Sequence, residues 1–304
     1  MARVYCIGHA VNDYIFRVDR MPTAATKYRA TGFEMVGGGP AATAAVAIAR
    51  LGGKAALASR VGDDAIGELI VAELLGEGVE CGEVRRMEHR ASAVSAVIID
   101  KSGERMIVSC ADPQMPQGAD WLPDRLPDGT GAVLGDSHWP QGAAKMFALA
   151  RAAGVPAVLD GGAVWTDDSA HRAATHLAFS SDGLKRFSGD GDPRTLLKRA
   201  RGLTGAWCCV TEGRMGVLID DGVEQRRIPG FKVDVVDTLG AGDVWHGAFA
   251  LALAEGKGEF ASATFATGAA ALKVTQGGAA PRRSRRVFAR QNGLLGSGGR
   301  NAAA

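Results

Sequence analysis

Short β-branched and apolar runs alternate along this chain with longer stretches rich in alanine and leucine, and this alternation limits the fold more than any other feature. The β-rich runs include Val4 to Ile7, Ala96 to Ile99, Ala132 to Leu134, Ala157 to Asp160, Trp207 to Val210 and Val217 to Ile219. Between them the spacing predicts helices over Pro40 to Leu51, Ile66 to Leu75, Ala143 to Ala153, Thr195 to Arg201, Ala241 to Ala254 and Phe260 to Ala271. Strands joined through helices form a mostly parallel, doubly wound α/β sheet with helices on both faces. Two segments break the rhythm. Residues 13–36 carry the Met21-Pro22 turn, and in 92–111 two strand-like runs flank Asp100-Lys101-Ser102-Gly103. They are expected to pair as a small β-sheet of their own, a lid on a single domain spanning 1–292, with a flexible Gly/Ser/Ala tail at 293–304.

Charge and cysteine usage exclude several classes. With 35 basic and 33 acidic residues the net charge is +2, which gives no overall field toward nucleic acid or an anionic membrane. The arginines at 282, 283, 285, 286 and 290 read as a solvated helix face or a contact for phosphates. Cys6, Cys81, Cys110, Cys208 and Cys209 are odd in number, scattered and without a CxxC pair, so neither a disulfide framework nor a zinc knuckle is expected. A reducing cytoplasm suits them. No apolar leader opens the chain and no run is long enough to span a bilayer. Glycine supplies 42 of the 304 residues, about twice its usual share of roughly 7% and without a collagen period, so many backbone positions must turn tightly or approach a ligand closely.

The densest chemistry lies at 233–249, where an apolar run meets a Gly240-Ala241-Gly242 turn and then a uniform helix. Backbone N–H groups there converge on one point and the helix start adds roughly half a positive charge, which makes an anion hole. Asp243, in the first helical turn, is placed either to cap the helix or to take a proton from an alcohol attacking a phosphoryl group.

Asp237-Thr238-Leu239-Gly240-Ala241-Gly242-Asp243 resembles the second signature of the PfkB (ribokinase-like) sugar kinase family. Gly37-Gly38-Gly39-Pro40-Ala41-Ala42-Thr43 and the helix after it resemble the first signature. The resemblance spans nearly the whole chain and implies transfer of the ATP γ-phosphoryl group to a hydroxymethyl group. It makes Asp243 the general base, with the N–H groups of Ala241, Gly242 and Asp243 stabilising charge on the phosphoryl group. Gly38 and Gly39 then let the backbone approach the sugar, Asp13 accepts from sugar hydroxyls, and Thr43 stands where relatives often carry Asn. For ATP, Thr211-Glu212-Gly213-Arg214-Met215-Gly216 is similar to the family's T-x-G-x-x-G turn, giving Thr211, Gly213 and Gly216 to the phosphates, while Ala269 and Gly278 fall where relatives wall the adenine. The family's N-x-x-E motif for Mg2+ falls on Ser180-Ser181-Asp182-Gly183 without either usual side chain, which leaves Asp182 as a carboxylate acting through water. Asp237 matches a position near which relatives bind a monovalent cation such as K+. Relatives often pair lids, which implies a homodimer.

Within the family the longest runs look most like the sulfofructose kinases, including Thr26-Lys27-Tyr28, so Lys27 is expected to reach an anionic group. Ser109 and His138 stand where those enzymes place Asn and Arg, which weakens a sulfonate site. The substrate expected is therefore a ketose-like sugar, with an anionic one left open. A nucleoside kinase and a non-catalytic sugar sensor of the same fold remain as alternatives.

Overall fold

The computed structural model describes residues 1–162 and 167–276; Gly278, the arginines beyond 281 and the tail lie outside the described residues. The first half of the chain runs β1 (Arg3–Gly8), β2 (Val11–Arg17), β3 (Gly32–Gly38), α1 (Pro40–Arg50), β4 (Lys54–Gly62), α2 (Ala65–Gly76), β5 (Glu80–Met87), β6 (Val94–Ile99), β7 (Arg105–Cys110) and β8 (Thr130–Asp136). The second half runs α3 (Pro140–Ala152), β9 (Ala157–Asp160), α4 (Ser169–Ala173), β10 (His176–Ser180), α5 (Ser181–Ser188), α6 (Pro193–Thr204), β11 (Trp207–Thr211), β12 (Val217–Asp220), β13 (Gln225–Ile228), α7 (Ala241–Ala254) and α8 (Glu259–Val274).

The large sheet has nine strands in the order β13-β12-β11-β10-β9-β8-β1-β4-β5. Strands β11 through β5 are parallel, and β12 and β13 add an antiparallel edge. Its central strands are apolar on both faces because helices cover both. In β1, Val4 and Cys6 enter the core beneath α1, α7 and α8, while Tyr5 and Ile7 enter the opposite core beneath α3 and α6. The alanine content has a packing cause: α7 lies so close to α1 that a side-chain carbon at Gly247 would sit 2.6 Å from the Ala44 carbonyl oxygen.

Helices begin where the local chemistry allows. Proline opens α1, α3 and α6 at the first turn, where its missing N–H costs nothing. Asp192 caps α6 by accepting from the N–H groups of Arg194 and Thr195 at 3.0 and 3.2 Å. The expected starts at Ala143 and Thr195 are therefore two or three residues late.

The second sheet has four strands, β3-β2-β6-β7, and β2 pairs with β6 in parallel. Its register separates two faces. Asp13, Ile15, Ser95, Val97, Ile107 and Ser109 face one way, while Tyr14, Phe16, Phe33, Met35, Met106 and Val108 face the other. The aromatic side chains of this sheet thus point away from the residues that line the cavity described next.

Candidate active site

The strands of the large sheet end at one rim, and the small sheet stands above it. A cavity of about 830 Å³ lies between them, lined by Asp13, Ser95 and Ser109 of the small sheet and by His9, Arg60 and His138 of the large one. A second cavity of about 490 Å³ is lined by Thr211, Gly213, Gly216, Thr238, Ala241 and Gly242. Among the described residues its charged lining side chains, Arg214 and Lys232, are both cationic. The start of α7 stands between the two. Ala241 and Gly242 line the second cavity, and Asp243 feels the charge of Asp13, which lines the first.

Gly240 takes the left-handed conformation, φ 72°, at the N-cap of α7, and no side chain caps the helix there. Asp243 is therefore not used as the cap. Burial first, and then the charges of Asp160, Asp136 and Asp13, hold its carboxyl well above the usual carboxylate range, with Arg105 pulling the other way. A half-buried carboxylate raised in this way, in the first turn of a helix whose Ala241 N–H donates to the Thr238 carbonyl at 3.2 Å, suits proton abstraction near a helix N-terminus.

Asp13 is also raised, first by burial and then by Glu73, against a hydrogen bond from Ser95. A side chain at Gly38 would overlap the Asp13 carboxylate, and Gly39, at φ 90°, would bring one to 2.5 Å from the His9 carbonyl oxygen. Both glycines are thus required by close approach. His138 stacks on His9, with ring centroids 4.8 Å apart. Burial first, and His138 next, push His9 down to about 4. Ser109 Oγ lies 3.1 Å from Ser95 Oγ.

Three expected positions fall elsewhere. Thr43 is buried in α1 and does not reach the cavity, since the second turn of that helix already points into the core. Lys27 is exposed in the segment between β2 and β3 and lines neither cavity. Ala269 is buried in the core, because the helical period of α8 puts Thr267, Ala270, Ala271 and Val274 on the cavity face. Gly278 lies outside the described residues.

The two cation positions also differ from expectation. Ser180 does not face a ligand; its hydroxyl caps α5 by accepting from the Gly183 N–H at 3.0 Å. Asp182 is exposed in the first turn of α5, and among the described residues the second cavity has no carboxylate in its lining, so the residues present fit Mg2+ only as an ion carried by phosphate and water. At Asp237 the buried Lys273 donates to the carbonyl oxygen at 2.9 Å, and its ammonium lies 3.5 Å from Oδ2. Among the described residues, that ammonium already places one positive charge on the carbonyl and carboxylate of Asp237.

Four groups were not legible as site residues. Asp136 is buried and accepts from the N–H groups of His9 at 2.8 Å, Ala41 at 3.1 Å and His138 at 2.9 Å. Its neighbour across the β8–β9 register is Asp160. Arg60 stacks over Trp139 at 4.4 Å and donates to the Pro116 carbonyl at 2.7 Å. His246 is buried beside Asp160 and Asp243.

A helix N-terminus that lines the second cavity, with a raised carboxylate in its first turn that feels Asp13 of the first, has the parts of a phosphoryl-transfer site on a doubly wound sheet. The chain matches the model of the pfkB family carbohydrate kinases over residues 1–284 and belongs to that family; it is a sugar kinase, a phosphotransferase with an alcohol acceptor. A ribokinase from Bacillus subtilis is 29% identical to it over 283 residues, covering 92% of this chain and 95% of that protein. An ATP-dependent ribose-1-phosphate kinase from Halopiger xanaduensis is 31% identical over 254 residues, covering 82% and 84%. The crystal structure of a provisionally named ribokinase from Agrobacterium tumefaciens superposes with a TM-score of 0.89 at 33% identity, covering 95% of this chain and 97% of that one. Among the described residues no helix is long and apolar enough to cross a membrane.

Proposed function

We propose that this kinase transfers the γ-phosphoryl group of ATP to a hydroxymethyl group of a ketose-like sugar, with Asp243 as general base. The observation that carries this is the placement of Asp243 and the Ala241-Gly242 turn between one cavity walled by Asp13 and another without a carboxylate in its lining and with cationic Arg214 and Lys232. The sugar lies in the first cavity, its hydroxyls on Asp13 and against the Gly38-Gly39 backbone. ATP lies in the second, its phosphates on Thr211, Gly213 and Gly216. Mg2+ carried on those phosphates would neutralise their charge, with Asp182 as the carboxylate that would reach it through water. Asp243 removes the hydroxyl proton as the oxygen attacks phosphorus, and the N–H groups of Ala241, Gly242 and Asp243 receive the charge of the transferring group.

A sugar that carries an anionic group, as sulfofructose does, is the second reading, favoured by Arg60 and His138 in the cavity wall. ATP consumption against ketoses, aldoses, sulfosugars, sugar phosphates and nucleosides separates these readings. Asp243→Asn should lower kcat about a hundredfold or more while sugar binding persists. Binding without turnover in the native protein would instead support a sensor.

The outward face of the small sheet supports a homodimer formed lid to lid. Phe33 and Met35 are each 53% exposed and Val108 is 60% exposed, on a face that a second copy of matching shape would cover. All five cysteines are free, in keeping with a cytoplasmic location.

A further inference from the structure

One imidazole nitrogen beside Asp243 has no partner. His246 lies three residues after Asp243 on α7, a spacing that puts both on one face of the helix, and it is 4% exposed. Its Nε2 lies 3.1 Å from the Ala178 carbonyl oxygen, which can only accept, so Nε2 serves as the donor and Nδ1 is the nitrogen left over. Nδ1 is buried and lies 3.3 Å from Asp160 Oδ2, yet the two do not make a hydrogen bond. A carboxylate oxygen of Asp243 completes the group, and the three ligand atoms lie within 4.8 Å of one another.

We propose that Asp160, Asp243 and His246 form a binding site for a transition-metal dication of the Zn2+ type, and that the ion switches the enzyme off by occupying the carboxylate that serves as base. The switching rests on the kinase reading of Asp243; the site itself does not. Two ligands held at about 2.0–2.1 Å by a tetrahedral ion stand about 3.3–3.4 Å apart, which matches Nδ1 and Asp160 Oδ2. Neighbouring ligands on octahedral Mg2+ would close to about 3.0 Å, and Mg2+ favours oxygen and water over imidazole. The outer contacts have the form of a metal site as well. A ligating histidine characteristically gives its other N–H to a carbonyl, as Nε2 does to Ala178, and a ligating carboxylate is itself hydrogen-bonded, as Asp160 Oδ1 is by the Gly162 N–H at 2.9 Å. The charges of Asp160, Asp136 and Asp13 converge on Asp243 against those of Arg105 and Lys273, so a dication there gains from the field. An arriving ion displaces any proton on its ligands, so the site does not depend on the charge the imidazole carries beforehand.

The test is titration of the full chain with Zn2+ alone, without sugar or ATP, by calorimetry and by competition with a chromophoric chelator. The native protein should take up one ion per chain, and the Kd should rise tenfold or more in His246→Gln, whose amide keeps a donor for the Ala178 carbonyl, and in Asp160→Asn. No uptake, or equal affinity in both variants, would overturn the proposal. Should both variants fail to fold, the native chain decides. Co2+ should give the visible band of a tetrahedral site that Zn2+ then abolishes, and Zn2+ should shift the His246 Nδ1 resonance in nitrogen NMR. A thiolate-to-Co2+ charge-transfer band, which would mark one of the five free cysteines, or an unmoved Nδ1 would overturn it. Once a sugar is turned over, buffered free Zn2+ under excess Mg2+ and ATP should inhibit the native enzyme, and His246→Gln should need at least ten times more for half-inhibition. Full turnover with the site filled would overturn the switch. Zn2+ uptake as expected in a chain that phosphorylates no sugar would sink the kinase reading and leave the metal site standing.

Discussion

Lys273 offers a sharp test of how the anion-hole loop is held. Its side chain is 1% exposed at the last turn of α8, and its ammonium meets the carbonyl and carboxylate of Asp237, whose side chain is 12% exposed. The same stretch is pinned by backbone hydrogen bonds from Val236 and Asp237 to the Val274 carbonyl at 2.7 and 3.1 Å. From the small sheet, Arg105 donates to Thr238 Oγ1 at 3.0 Å. Replacing Lys273 by methionine keeps most of the apolar stem and removes the charge. Breaking one side of a buried ion pair costs about 3–5 kcal/mol, and because Asp237 keeps the Leu239 N–H on Oδ1 the low end, about 3 kcal/mol, is expected.

At about 2–4 °C per kcal/mol for a chain of this size, the apparent Tm of Lys273→Met should fall by about 6–12 °C. The assay compares Tm and initial rate in K+, ammonium and tetramethylammonium salts at fixed ionic strength. The native enzyme should perform equally in all three, since its own ammonium holds Asp237. The variant should regain part of both quantities in K+ or ammonium and none in tetramethylammonium, which is too large to enter. A native enzyme that requires K+, or a variant that loses neither stability nor rate, would refute the reasoning.

Gly38→Ala should raise KM for the sugar tenfold or more with a smaller change in kcat, because the added methyl displaces Asp13; steady-state kinetics on a folded variant check this. Stability should fall as pH drops from about 6.5 toward 4. Burial holds His9, His171 and His176 down to about 4, so the unfolded chain takes up protons in that window that the folded chain refuses, at about 1.4 kcal/mol per pH unit for each. His171 has both ring nitrogens buried without partners and stacks on Phe187 at 4.8 Å, so His171→Phe should flatten the pH dependence of the urea midpoint by one proton and stabilise the protein most at pH 5. Val108→Lys on the outward lid face should give a monomeric mass by light scattering, where the native chain gives a dimer.

What the sequence made legible follows from how local the cause is. Helix α7 was expected at its observed bounds, Ala241–Ala254, because a glycine turn starts it and fourteen residues of one character continue it. Strand β4 was not expected: Lys54–Gly62 lies in the sheet interior, is rich in small residues and has no alternation, so it reads like a helix fragment. Strand β5 failed for the opposite reason, as a polar edge with little apolar content. The pairing of 13–36 with 92–111 was visible because two hairpin-like segments had nowhere else to go. In the candidate site, Gly38, Gly39 and Asp243 sit in contiguous signatures, while Asp13 stands outside them and came from the resemblance alone. Asp136, Asp160 and Lys273 carry no local mark; a lysine in a last helical turn is what any helix would favour there.

The site is set less by which carboxylates converge than by what each is given as a partner. Asp136 has three backbone N–H donors and is the tie between the end of β8, the loop after β1 and the start of α1. Asp160 has the Gly162 N–H and the imidazole of His246. Asp13 shares its cavity with Ser95 and is open to hydroxyls. Asp243 has only the opposing field of Arg105 and Lys273, with no hydrogen bond that would commit it to the charged form. A carboxylate satisfied by fixed N–H groups cannot take a proton cheaply, whereas one held by burial and like charges can. Of the four, Asp243 alone is both held well above the usual range and, among the described residues, left without fixed donors, and its neighbours Ala241 and Gly242 line the second cavity, so the partner pattern supports it as the proposed base.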